Sequence, residues 1–371
     1  MENMKISRVT LREIRMKLLA PFQTSFGSAH ERRILLVAAE VDGVIGWGEI
    51  VAGEYPGYSP ETIDTARLIL TEYLWPAVRG REVASANDVS PLMNHVRGHE
   101  MAKAGLETAA WDAEAKLKNV SLWKLLGGTR REIPCGVSIG IQENHEKLLE
   151  KIEKELADGY QRIKIKIAPG RDVLACEAVR ARFPDIRLMV DANSAYRLED
   201  LPLIRQLDRF HLMMIEQPLD WDDIYAHALL QREIETPVCL DECIHAVHHA
   251  RAAIELGACR IINMKLGRVG GHRSVRAIHD LCQANGIPLW CGGMLESGIG
   301  RAHNIALSTL PNFKLPGDVS ASRRYWTEDI IEPAVEVSPH GTILPPEGPG
   351  IGFTPKLEMI ERLTVSSAVL D

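Results

Sequence analysis

Apolar and polar positions follow two different rhythms along the chain, and the change falls near Pro134. Upstream, residues 5–50 read as antiparallel strands. Ile6, Val9 and Leu11 are followed by Ile34, Leu35, Leu36 and Val37, and this run ends at Asp42-Gly43, a dipeptide suited to a tight hairpin. Val44 to Glu49 then reads as the returning strand. Two segments rich in small and turn-forming residues, 21–28 and 51–60, read as loops. From Pro60 to Leu126 the spacing becomes helical, and it stops at Gly127-Gly128.

Downstream, short apolar runs alternate with amphipathic helices. The runs are Cys135–Ile141, Arg162–Ile167, Arg187–Val190, Leu212–Ile215, Pro237–Leu240, Arg260–Met264, Pro288–Cys291 and Leu315–Val319. In the helix predicted over Glu146–Asp158, Leu148, Leu149, Ile152 and Leu156 share one stripe, and Gly159 is the stop. Strands that are apolar throughout, separated by helices, belong to a parallel sheet buried on both faces. Eight such runs suit a closed barrel better than an open sheet. The fold expected is α/β, a modified (β/α)8 barrel of the TIM type, written (β/α)7β, with an α+β capping domain. Residues 1–128 form the cap and 129–332 the barrel; 333–371 are an irregular tail that returns to the cap.

Composition narrows the function classes. Hydrophobic residues make up 46% and charged residues 25%, as in ordinary globular proteins. The net charge of −7 and pI near 6.0 give no basic field for nucleic acid or an anionic membrane. No apolar run reaches signal or membrane-spanning length. Seven cysteines form no CxxC pair and read as reduced core residues of a cytoplasmic protein. His248-His249 and His303 lack partners at zinc-ligand spacing and read as surface or helix-capping residues.

The chemistry lies at the carboxyl ends of the predicted strands, where barrel sites are built. Those ends carry Lys164 and Lys166, then Asp191, Glu216, Asp241 and Lys265, at steps of 25, 25, 25 and 24 residues from Lys166. Each step is one strand–helix unit, so the six charges gather at one mouth. Lys164 and Lys166 point to one face, where mutual repulsion and burial are expected to lower their pKa toward that of a useful base. Alone, Lys-x-Lys also suits an exposed strand edge. A single carboxylate of the three equally suits a helix cap or an arginine partner. Three converging carboxylates call for a cation, and an all-oxygen set points to Mg²⁺ or Mn²⁺. Lys265 faces the lysine pair across the barrel, so two amines flank one substrate carbon. Proton removal from one face and return from the other become feasible, with the metal stabilising an enediolate.

With Lys164-Ile165-Lys166, Asp191-Ala192-Asn193, Glu216-Gln217-Pro218, Asp241-Glu242 and Lys265, the chain resembles the enolase superfamily in its muconate-lactonizing subgroup. The segments 20–27, 292–301 and 316–320 look most like the o-succinylbenzoate synthase / N-succinylamino acid racemase branch. The resemblance covers nearly the whole chain. It implies that Lys166 is the base on one face, Lys164 its neighbour, and Lys265 the group on the opposite face. It implies Asp191, Glu216 and Asp241 as Mg²⁺ ligands, with Asn193 and Glu242 supporting them unless they serve only as turn or cap residues. Ser138, Thr24, Gly292, Gly293 and Met294 would bind a small carboxylate substrate, although Ser138 also suits a plain strand hydroxyl. Arg268 is expected either to depress the Lys265 pKa, favouring racemisation, or to lie on the surface. Residues 24–27 and 55–58 would form the lid. Dipeptide epimerases of this subgroup carry Asp-x-Asp where this chain has Asp318-Val319-Ser320, which favours an N-acylated substrate over a free amine. Muconate cycloisomerase uses the same catalytic set and stays open. A binding protein on a retired scaffold would have lost a ligand or a lysine, and none is lost. A homo-oligomer is expected.

Overall fold

In the computed structural model, which describes residues 3–24 and 27–371, the first rhythm becomes three antiparallel strands. They are β1 (Met4–Thr24), β2 (Gly27–Val41) and β3 (Val44–Ile50). Asp42 and Gly43 carry the positive φ values, 48° and 81°, that a tight hairpin needs, and Val41 pairs with Val44. The segment 21–28 differs from the loop expected. The β1–β2 ladder slips between Lys17 and Phe22, then resumes at Phe22 with Ala29, Gln23 with Ser28 and Thr24 with Gly27. Backbone pairing continues there although side-chain alternation has stopped.

The helical pattern of 60–126 divides into α1 (Ile63–Ile69) and α2 (Glu100–Leu117), with shorter turns between them. Every residue of α2 from Met101 to Ala115 is buried. Strand β3 crosses it at backbone contact: a Cβ at Gly46 would stand 2.0 Å from the Ala109 carbonyl oxygen, and one at Gly48 2.2 Å from that of Gly105. Only glycine permits that approach.

The second rhythm becomes a parallel sheet of seven strands with helices between them: β4 (Gly136–Ile139), β5 (Arg162–Lys166), β6 (Leu188–Asp191), β7 (Ile215–Glu216), β8 (Val238–Leu240), β9 (Ile261–Met264) and β10 (Leu289–Cys291). Their alternation separates two environments. Ile163, Ile165, Leu188, Val190, Ile215, Val238, Leu240, Ile262, Met264 and Leu289 join the large core shared with the helices. Met189, Met214, Cys239, Ile261 and Trp290 form a separate apolar cluster inside the barrel. Residues two further along the same strands are Asp191, Glu216, Asp241, Asn263 and Gly292, so strand period alone stacks the polar layer on the apolar one.

An eighth strand over 315–319 does not form. Pro316 has no N–H to donate, and a Cβ at Gly317 would meet the Cys291 carbonyl oxygen at 2.9 Å. The segment still bridges the open edges. Gly136 N–H donates to Gly317 O at 2.7 Å, Gly317 N–H to Pro134 O at 3.1 Å, and Asp318 N–H to Cys291 O at 2.7 Å. These bonds close the barrel with one short irregular segment.

The barrel helices include α3 (His145–Ala157), α4 (Val173–Arg182), α5 (Ile224–Glu233), α6 (Val247–Leu256), α7 (His272–Ala284) and α8 (Gly298–Ser308). Asn144 caps α3 by accepting from Lys147 N–H at 2.9 Å. Two of these helices are capped by the N-terminal unit. Glu107 accepts from His272 N–H and Arg273 N–H, both at 2.9 Å, at the start of α7. Glu49 accepts from Ser297 Oγ at 2.5 Å and Gly300 N–H at 3.0 Å at the start of α8. Helix N-termini leave unpaired N–H groups and favour negative charge, so a buried glutamate there both satisfies donors and locks the two units together. Burial pushes each of these carboxyls up to about 7, against the hydrogen bonds that favour ionisation.

The tail ends in β11 (Thr364–Leu370), which pairs antiparallel with β1 from Val9–Leu370 onward. All seven cysteines are free and buried. His303 is a correction: it is buried rather than at the surface or capping a helix, with Nε2 2.8 Å from the Trp47 carbonyl and Nδ1 3.0 Å from His272 Nε2. His248 is exposed, and His249 Nδ1 accepts from His245 N–H at 3.2 Å beside α6. Among the described residues, no helix is long and apolar enough to cross a membrane.

Candidate active site

The register of the sheet places the acidic ends side by side. Lys166 pairs with Asp191, and Asp191 with Glu216. Asp241 follows directly on β8, whose Cys239 pairs with Glu216. Each charge meets an opposite one. Lys166 Nζ donates to Asp191 Oδ2 at 2.6 Å and to Asn193 Oδ1 at 2.5 Å. Lys164 Nζ contacts Glu216 Oε2 and Asp318 Oδ2, both at 2.9 Å, and Asp191 Oδ2 at 3.3 Å. Lys265 Nζ donates to Asp241 Oδ2 at 2.8 Å. Asn193 holds Glu242 through Nδ2 at 2.9 Å, and Asn263 holds Glu216 through Nδ2 at 2.6 Å.

This pairing corrects the pKa expected for Lys164 and Lys265. Burial opposes the charge on Lys164, but Asp318, Glu216 and Asp191 outweigh it and raise the pKa above the ordinary value. Asp191 stands between the two amines, accepting from Lys166 and forming an ion pair with Lys164 at 3.3 Å. Lys265 is likewise raised: burial works against it, and Tyr58, Glu216, Glu242 and Asp191 prevail. Arg268 is not a surface residue. It is buried, and its guanidinium is bonded to Asp241 Oδ1, to Ile244 O at 2.7 Å and to Tyr58 Oη at 3.1 Å. Its charge is spent on Asp241 rather than on depressing Lys265.

The carboxylates do not share equally in this neutralisation. Burial first, and then Asp191, push Glu216 up. Burial and Asp191 also push Glu242 up to about 7. The Glu242 Oε2 and Asn263 Oδ1 atoms are buried without a hydrogen-bond partner among the described residues. Acceptors therefore outnumber donors in this layer, and all the unsatisfied ones are oxygens. Among the described residues, no three acidic, cysteine or histidine side chains form a ready metal cage; each of Asp191, Glu216 and Asp241 is turned to a lysine or arginine.

Above the layer lies a cavity of about 470 Å³ between the barrel mouth and the N-terminal unit. Lys166, Lys265, Asn193, Gly293 and Met294 line it from the barrel. Phe22, Gly27, Arg32, Tyr55 and Tyr58 line it from the other side, so the described parts of both expected lid segments reach it. Ser25, Phe26 and the side chain of Thr24 lie outside the described residues. Two expected substrate contacts are absent from this lining. Ser138 Oγ donates to Asp318 Oδ2 at 3.1 Å, and Gly292 is a glycine because Asn263 Oδ1 lies 2.3 Å from where its Cβ would stand.

Several site residues were not among those expected. Asn263 and Arg162 share the strand parity of Lys265 and Lys164, so the alternation could have found them. Asp318 binds Lys164 and also Arg162, whose Nη1 lies 2.8 Å away; Arg162 and Lys164 both stand over the Trp290 ring, at 4.9 and 4.7 Å. Tyr58 donates to Asp241 Oδ1 at 2.9 Å, and its ring lies 4.3 Å from Lys265 Nζ. Tyr58 belongs to the expected lid segment 55–58, but no spacing links it to Asp241.

The family defined by this fold and site is matched directly. A family described as mandelate racemase / muconate lactonizing enzyme, N-terminal domain, matches residues 6–127, and one described as enolase C-terminal domain-like matches 147–359. The chain belongs to the enolase superfamily. It is 51% identical over 360 residues to an o-succinylbenzoate synthase of Geobacillus kaustophilus, covering 97% of this chain and 96% of that protein. It is 48% identical over 364 residues to an N-succinylamino acid racemase of an Amycolatopsis species, covering 98% of each. A crystal structure of an enolase superfamily member from Listeria innocua superposes with a TM-score of 0.96 at 43% identity, covering 99% of both chains. These relatives put the chain in the o-succinylbenzoate synthase / N-succinylamino acid racemase branch.

Proposed function

We propose that this protein removes the proton α to the carboxylate of a small-molecule substrate, acting as an o-succinylbenzoate synthase, an N-succinylamino acid racemase or both. One observation carries the reading: Lys166 and Lys265, from strands on different sides of the barrel, line one cavity, and each is anchored on a carboxylate of the same acidic layer. Asp191, Glu216 and Asp241 fit Mg²⁺ or Mn²⁺, because the three side chains are oxygen ligands and the layer beside them holds buried oxygens of Glu242 and Asn263 without partners. A bound divalent ion would neutralise these carboxylates and offset the charge that develops on the substrate carboxylate during proton removal.

The chain's own groups then have distinct tasks. Lys166 Nζ takes or returns the α-proton on one face of the carbon, and Lys265 Nζ does so on the other. Lys164, held charged by Asp318 and Glu216, stays a cation beside the developing negative charge. Arg268 and Tyr58 fix Asp241, and Asn193 fixes the Lys166 amine. Removing carboxylate charge from around Lys265 would lower its pKa toward that of a working base. The muconate lactonizing enzyme of Pseudomonas fluorescens shares the fold at 22% identity, which supports the scaffold and not its reaction.

Incubation with Mg²⁺ and each enantiomer of an N-succinylamino acid in D₂O tests the racemase, with α-hydrogen exchange followed by NMR. Formation of o-succinylbenzoate from its cyclohexadiene-carboxylate precursor tests the synthase. Exchange or dehydration is expected; neither, with metal present, rejects the proposal.

A further inference from the structure

Two adjacent arginines on β2 are used in opposite ways. Arg33 is fully engaged: its guanidinium meets Glu13 and Asp64, each at 2.7 Å. Arg32 lines the cavity above Lys166 and Lys265. Its Nη2 reaches only the carbonyl oxygens of Val51 and Ala52, at 3.3 and 3.5 Å, and its Nε is buried with no partner among the described residues. No carboxylate of the described residues forms an ion pair with it. Burial pushes its pKa down, while Glu49, Glu296 and Glu54 act on it from a distance. Glu49 is committed to the start of α8, and Glu54 is exposed and screened by solvent. A buried guanidinium donor left unpaired is costly, and a planar fork matches a carboxylate better than any other ligand.

We propose that Arg32 receives a second carboxylate of the substrate, at the end remote from the carbon that is ionised. The cavity then selects dianions: one carboxylate lies near the acidic layer and its cation, and the other crosses to the N-terminal unit. This inference deepens the proposed function and rests on it. It supplies a reason for the succinyl group that the two relatives' reactions share, since that group ends in a free carboxylate. Glu31 and Glu61 also line the wall. Glu31 is exposed, and Glu61 is spent on the N–H groups of Met101 and Ala102, at 2.8 and 3.1 Å. Neither competes for the fork at hydrogen-bond distance.

The test compares N-succinyl and N-acetyl forms of one amino acid as racemisation substrates for the parent, Arg32→Met and Arg32→Lys. The kcat/KM ratio of succinyl to acetyl should fall about 30-fold in Arg32→Met, mostly through KM, as expected for a lost charge-assisted hydrogen bond. Arg32→Lys should recover part of the ratio, because it keeps the charge and loses the fork. An equal loss on both substrates, or an unchanged ratio, overturns the proposal. Should Arg32→Met not fold, calorimetry of parent and Arg32→Lys with N-succinylglycine and N-acetylglycine decides: equal affinities of the parent for the two overturn it. Calorimetry also separates the two ideas. Selective dianion binding without turnover would reject the reaction and retain the Arg32 site, whereas turnover without selectivity would do the reverse.

Discussion

The barrel mouth and the N-terminal unit build one cavity by opposite means. At the mouth, regular pairing does the work: register sets Lys166 beside Asp191 and Asp191 beside Glu216, and the rest of the layer repeats with strand period. In the N-terminal unit the contributing residues come from irregular places: the hairpin arm beyond the slip at Lys17/Phe22, the loop carrying Tyr55 and Tyr58, and Arg32 at the cavity edge of β2. The unit is held to the barrel by Glu49 and Glu107, buried carboxyls that accept from the first turns of α8 and α7. On the proposed reading, the mouth carries the groups of the reaction and the N-terminal unit those that distinguish substrates.

The sharpest break of this comparison is at the mouth itself. Lys166→Ala and Lys265→Ala should each lower racemisation by about 10³-fold or more in kcat, because each removes a proton-transfer group. Metal dependence comes next. Chelation should abolish turnover, and Mg²⁺ should restore it and raise the melting temperature of the parent but not of Glu216→Gln. An equal thermal shift in both would remove Glu216 from the ligand set.

Docking predictions probe the other region and should be seen in stability more than in chemistry. Glu107→Ala leaves buried N–H groups at the start of α7 without an acceptor and should cost about 2–3 kcal/mol in a denaturant titration. Glu107→Gln has a pH signature. The folded carboxyl titrates near 7, above its unfolded value, so its ionisation destabilises the parent as pH rises from about 4.5 to 7. The amide lacks that penalty, so the stability deficit of Glu107→Gln should be smaller at pH 7.5 than at pH 5; a deficit independent of pH would refute the raised carboxyl. The smallest effect is expected at Tyr58→Phe. It loses the bond to Asp241 but keeps the ring over Lys265, and should change kcat only a few-fold.

The same contrast explains what could be read in the sequence. The barrel was legible because apolar runs, helices and charged strand ends recur at one interval, and geometry turns that interval into a ring. Its last strand is not regular because Pro316 lacks a donor and Gly317 is pressed against the Cys291 carbonyl, so an apolar run of strand composition forms only single bridging bonds. The pKa direction of Lys164 is not legible because spacing gives neighbours along a strand and not across the ring, where Asp318, Glu216 and Asp191 neutralise it. The burial of His303 is not legible because its partners, Trp47 and His272, belong to distant segments. Arg32 carries no signal, and Tyr58 is legible only as part of the 55–58 lid, because the bond it makes to Asp241 joins segments no spacing relates.

The central claim is that two amines address opposite faces of one carbon, and stereospecific exchange in D₂O tests it most directly. The parent should exchange the α-hydrogen of both enantiomers of an N-succinylamino acid. Lys166→Ala should retain exchange with only one enantiomer, and Lys265→Ala with only the other. Loss of the same enantiomer's exchange in both variants, or equal residual exchange of the two, would contradict the arrangement.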